Sequence, residues 1–187
     1  FYQILYLSDS LFMKTIISPV DFSDSSINAV SFAAELAKRA TSHLTIVNIL
    51  EEGEDEEKIK NKLKDLESDL RKSFGADLNC EWLIARGSLI NGLKEVVKVQ
   101  QSSLVVMGTN GASNLKQVLL GSNTVNVIAN IKVPVLVIPE VARFENFLRK
   151  GKNRIVLATD LEELENENAL DILKEIALVM VEPKVRV

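Results

Sequence analysis

A parallel α/β sheet with helices on both faces is the fold class this chain predicts. Three observations carry it. Five short apolar, β-branched runs alternate with stretches whose apolar residues recur at helical spacing, the pattern of strand–helix units joined by right-handed crossovers. A glycine-containing loop follows the fourth run and empties into a helix start. The opening of the first unit then reappears near the end of the chain.

The first strand is Thr15-Ile16-Ile17-Ser18-Pro19-Val20, ending at Asp21. Phe22-Ser23-Asp24-Ser25-Ser26 supplies several candidate N-caps, and Ile27, Val30, Ala33, Ala34 and Ala37 then mark a helix to Ala40. His43 reads as a solvated turn histidine before the second strand, Leu44 to Leu50; no neighbour in sequence suggests a catalytic partner. Glu51 to Glu57 is an acidic run without the ligand spacing or mid-loop glycine of a calcium loop, so it reads as a loop and helix start. Ile59, Leu63, Leu66, Leu70 and Phe74 form one face of the second helix, which Gly75 stops. Leu78 to Ala85 is the third strand, with Cys80 and Trp82 on one face, so Cys80 is expected to be packed rather than reactive.

Gly87-Ser88-Leu89-Ile90-Asn91-Gly92-Leu93-Lys94 falls short of a P-loop. Its lysine comes one residue late, and Glu95 stands where a hydroxyl is required. Ser88 instead caps a third helix bearing Ile90, Leu93, Val96 and Val97. Leu104 to Met107 is the fourth strand. A helix through Val125, Val127, Ile128 and Ala129 follows the glycine loop, and Val133 to Pro139 is the fifth strand, whose flanking prolines suggest an edge.

Composition narrows the function. The 187 residues are 47% hydrophobic with a formal charge of −4, enough for one good core but too short for two full α/β domains of about 140 residues each. A pI near 5.2 argues against a nucleic-acid surface. A single cysteine excludes an internal disulfide and fits a reducing, cytoplasmic setting. No apolar run approaches the ~18–20 residues that span a bilayer. Residues 1–12 lack the basic region and cleavage site of a signal peptide; they read as sequence upstream of a start at Met13, or else as an N-terminal strand or interface arm.

The informative stretch is Gly108-x2-Gly111-x9-Gly121-Ser122-Asn123-Thr124. Glycines let the backbone approach a ligand, and a helix N-terminus points free N–H groups at an anion. Turn chemistry alone is the plain alternative. The whole pattern, placed after the fourth strand, resembles the nucleotide loop of the universal stress protein family. So do Pro19-Val20-Asp21-Phe22-Ser23 and Val133-Pro134-Val135-Leu136-Val137-Ile138-Pro139.

The resemblance implies a flavodoxin-like, Rossmann-like five-stranded parallel sheet of order 3-2-1-4-5, and ATP as the ligand. Carried onto this chain, Pro19, Val20 and Asp21 line the adenosine end, and the backbone near Ile49 contacts adenine. Met107, Gly108 and Gly111 wrap the ribose and α-phosphate; Gly121, Ser122, Asn123 and Thr124 hold the outer phosphates. Mg2+ would arrive with the triphosphate. Asp21 as a plain helix cap is the competing reading. The family also implies a homodimer through the fifth strand, Val133 to Ile138, with protein partners unknown.

After the charged connector 140–152 the chain starts again. Asn153 to Asp160 lies over Lys14 to Asp21, and Asn168-Ala169 and Glu175-Ile176-Ala177 fall on Asn28-Ala29 and Glu35-Leu36-Ala37. The expected organisation is an extra segment 1–12, a nucleotide-binding domain 13–139, a linker 140–152 and the truncated start of a second repeat, 153–187. That tail would pack on the first domain's edge or pair with another chain. No catalytic constellation emerges, since the clamps of efficient phosphoryl transfer are missing. Three functions stay open: an ATP-binding regulatory module, a slow ATPase or nucleotidyl-transferring enzyme, and a nucleotide-free dimerisation module.

Overall fold

The computed structural model describes residues 13–109, 121–144 and 168–180. Its strands are β1 (Thr15–Pro19), β2 (His43–Leu50), β3 (Cys80–Arg86), β4 (Leu104–Gly108) and β5 (Val135–Ile138), and its helices are α1 (Asp24–Ala40), α2 (Glu56–Phe74), α3 (Leu89–Val99), α4 (Ser122–Asn130) and α5 (Asn168–Met180). The strands form one sheet in the order β3-β2-β1-β4-β5, with every pairing parallel. The order anticipated from the sequence is the order observed.

Alternation along the strands makes two cores. Ile16, Leu44, Ile46, Leu104 and Val106 face α1 and α2, meeting Val30, Ala33, Ala37, Leu63 and Leu70. Ile17, Val47, Val105 and Met107 face the other way, onto Leu93, Val96 and Val127 of α3 and α4. A strand buried on both faces must be apolar at successive positions, and β1 and β4 are. The alanines of α1 bring that helix close to β1 and β4.

Local chemistry sets the helix ends. The Ser23 hydroxyl accepts from the Ser26 N–H at the start of α1, Asp55 from Glu57 and Lys58 at α2, and Ser88 from Asn91 at α3. Gly75 closes α2 at φ 110°, a conformation that disfavours any side chain. Cys80 is buried beside Trp82; burial pushes its thiol up against the pull of the Arg71 guanidinium.

Four details differ from the sequence reading. α1 begins at Asp24, and Ile27 lies on its exposed side. His43 is the first residue of β2: its Nδ1 lies 2.9 Å from Asn79 Oδ1 and its Nε2 3.2 Å from Glu81. In α4, Thr124 and Val127 turn inward while Val125 and Ile128 are exposed. The fourth concerns the tail: α5 packs against α1, burying Ile172 and Ile176 in the α1–α2 core, and Glu175 Oε2 accepts from the Met13 N–H at 2.8 Å. The proposed repeat strand, 153–160, and the extra segment 1–12 lie outside the described residues.

Candidate functional site

β1 is followed by a helix on one face of the sheet and β4 by a helix on the other. Their carboxyl ends therefore flank a crevice at the point where the strand order reverses. Pro19, Val20 and Asp21 of the β1 end, Ile49 of β2, Met107 and Gly108 of β4, and Asn123 and Thr124 of α4 line one cleft there. Gly121 and Ser122 form the start of α4 beside it. Gly111 lies outside the described residues.

Close contacts knit the two loops together. Ser25 Oγ donates to the Thr109 carbonyl, and both residues are buried. Gly108 lies so near α1 that an added Cβ would sit 2.5 Å from the Ser25 carbonyl oxygen. Thr124 Oγ1 donates to the Gly108 carbonyl at 3.2 Å, tying α4 to the strand it follows. On the β2 side, Asn48 Nδ2 donates to the Val20 carbonyl at 2.9 Å.

Asp21 holds its own loop. Its Oδ1 accepts from the Ser23 N–H at 2.9 Å and the Ser23 hydroxyl at 2.6 Å. Partial burial raises its pKa, but hydrogen bonds from the Ser23 and Ser26 side chains and from the Ser23 and Asp21 N–H groups outweigh that, leaving Asp21 below the usual carboxylate range. These bonds span Phe22, which stands at φ 64°. The Lys62 ammonium lies 4.8 Å from the centre of the Phe22 ring, and both residues reach the cleft.

At the opposite wall α4 opens on Gly121 with no side-chain cap among the described residues. Its first N–H groups have no acceptor within the helix and carry the positive end of its dipole. Asp21, Glu51, Glu54 and Lys62 are the charged residues of the described lining. No group of three potential metal ligands stands together among the described residues.

The sequence profile described as the universal stress protein family matches residues 13–139. The chain belongs to the universal stress protein family. Universal stress protein MJ0531 of Methanocaldococcus jannaschii is 29% identical over 140 residues, 67% of this chain and 81% of that protein. Universal stress protein YxiE of Bacillus subtilis is 28% identical over 149 residues, 68% of this chain and 99% of that protein. Among solved structures, a universal stress protein in complex with cAMP superposes with a TM-score of 0.57 at 28% identity, covering 68% of this chain and 98% of that one.

Within this universal stress protein, the sequence reading missed several cleft residues. Asn48 was signalled by a polar residue inside an apolar strand. Ser25 was hidden among four neighbouring candidate caps. Lys62 and Ile59 reach the cleft from the first two turns of α2, and nothing in their local pattern separates them from an ordinary amphipathic helix.

Proposed function

We propose that the cleft binds an adenine nucleotide, ATP first, and that the protein is a nucleotide-dependent regulatory module of a stress response in the cytoplasm. One observation carries this reading: the β1 end, the β4 end and the glycine start of α4 meet at a single crevice. The relative in complex with cAMP supports the adenine class. In this reading Pro19, Val20 and Asp21 flank the adenosine, the Ile49 backbone meets adenine, and Met107, Gly108 and Gly111 surround the ribose and α-phosphate. The outer phosphates fall to Gly121, Ser122, Asn123 and Thr124. The Thr124 proton is engaged by the Gly108 carbonyl, so the phosphate donors are the first-turn N–H groups and the Ser122 hydroxyl. Mg2+, where it takes part, is held mainly by the phosphates.

The reading also assigns domains and assembly. Residues 13–139 are the nucleotide-binding unit, 140–152 a linker and 153–187 the opening of a second repeat, supported by α5 being helical where the repeat places α1. Two copies pair through β5, and partners of other kinds follow the nucleotide state.

The test is direct. The purified chain is denatured and any released nucleotide identified by chromatography and mass; ATP and cAMP are then titrated calorimetrically into stripped protein. Bound or binding adenine nucleotide supports the site. Protein that arrives empty and ignores both ligands leaves the dimerisation module. Phosphate release from bound ATP separates a slow ATPase from a pure binder.

A further inference from the structure

Several basic residues of α2 lie on carboxylates about one turn away: Lys60 on Glu56 and Glu57, Arg71 on Glu67, and Lys72 on Asp69. Lys62 does not. Asp65 stands three residues further on, yet Lys62 forms no ion pair among the described residues. Its ammonium lies instead 4.8 Å from the centre of the Phe22 ring, and both residues line the cleft. Phe22 holds that place at φ 64°, within the turn that Asp21 and Ser23 close. A neutral ring positions an ammonium without cancelling its charge. The other charges of the described lining are the carboxylates of Asp21, Glu51 and Glu54. Asp21 is engaged by Ser23, and Glu54 Oε2 accepts from the Glu51 N–H at 2.8 Å, so both are tied to their own loops. Lys62 is the one cation of that lining, and it is exposed.

We propose that Lys62 is the counter-charge of this cleft, setting its preference for anionic ligands by drawing in the phosphates of a bound nucleotide. The proposal rests on the nucleotide reading above. α2 covers one face of the sheet and α4 the other. A phosphate chain lying across the strand ends therefore passes between two positive poles, the Lys62 ammonium and the first N–H groups of α4. With Lys62 neutralised, the same ligand would meet three carboxylates and no cation in the described lining. Lysine suits this role. Its flexible stem lets the ammonium leave the ring and follow the ligand, and a point charge demands no fixed geometry. An uncharged nucleoside gains nothing from it.

The experiment compares ATP with adenosine, which has the same base and ribose but no charge. Both are titrated calorimetrically into the wild-type chain, Lys62→Gln, Lys62→Arg and Lys64→Gln, each checked for folding by circular dichroism. Lys64 is exposed on the same helix outside the cleft lining, so it controls for the loss of one positive charge from α2. Lys62→Gln is expected to weaken ATP binding about five- to tenfold and leave adenosine unchanged. That loss should narrow as salt is raised from ~50 to ~500 mM. Lys62→Arg and Lys64→Gln should bind ATP within about twofold of the wild type. Equal losses for ATP and adenosine in Lys62→Gln would overturn the proposal, making Lys62 a prop for the Phe22 turn. So would ATP affinity untouched by Lys62→Gln, or reduced as much by Lys62→Arg or Lys64→Gln. Failure of the wild type to bind either ligand is a different result: it removes the nucleotide site itself.

Discussion

Gly108 and Ser25 set how closely the two halves of the crevice approach. A methyl group at Gly108 would lie 2.7 Å from the Ser25 carbonyl carbon and 2.5 Å from its oxygen, and neither backbone atom can rotate away. Gly108→Ala is therefore expected to cost about 1–3 kcal/mol, as overpacking does, and to weaken ATP binding by separating the β1 and β4 ends. Urea unfolding and calorimetry on the same preparation check both halves. Asp21 gives a second residue-scale prediction. Its folded-state pKa lies below the ordinary aspartate value of 3.8, so its contribution to stability is complete above that pH and is lost as pH falls through the folded value. Asp21→Asn keeps an acceptor for Ser23 but cannot titrate. The stability gap between wild type and variant should be constant near neutrality and shrink below about pH 3.8; a gap that stays constant through acid unfolding would contradict it. Asp21 and Gly108 were legible because strand ends and glycines announce themselves locally. The Ser25 contact was not, since its partners lie more than eighty residues away in the chain.

At the scale of the element, α4 carries the anion-binding argument. Gly121 has φ −65° and ψ 157°, an extended conformation open to any residue, so Gly121→Val leaves the backbone unstrained. Losing a favourable N-cap residue costs about 1 kcal/mol. The isopropyl group would nonetheless occupy the space where phosphate meets the helix start. Calorimetric ATP binding is expected to vanish while the circular dichroism spectrum is kept; wild-type affinity would remove the phosphates from α4. Asp55→Ala at the start of α2 is the converse case. It removes a cap that accepts from Glu57 and Lys58, with an expected loss of about 1 kcal/mol in unfolding free energy and no change in ATP affinity. These caps were readable because Asp and Ser mark helix starts locally. Which side of a helix meets the sheet was harder to read. Ile27, Val125 and Ile128 all fit a helical period yet are at least one-third exposed, and Thr124 takes an inward place through its bond to Gly108. Periodicity counts apolar residues; it does not know where the sheet lies.

Across the whole molecule, β5 is an apolar edge strand of the sheet, and the proposed dimer depends on it. The Val105 N–H bonds the Pro134 carbonyl and the Thr109 N–H bonds the Ile138 carbonyl. Alternation therefore turns the backbone groups of Val135 and Val137 outward, away from β4. Such a row of outward groups pairs with another strand unless something blocks it. The proline already at position 134 shows that this segment tolerates a lost donor. Val137→Pro removes one outward N–H and leaves the bonds to β4 in place. The wild-type chain is expected to sediment as a dimer at micromolar concentration and the variant as a monomer, with ATP affinity changed little because no β5 residue is among the described lining of the cleft. A variant that stays dimeric would move the interface elsewhere on the surface. The exposed Val125 and Ile128 of α4 are then the first place to look. A monomeric wild type would leave β5 as an edge that this protein keeps to itself.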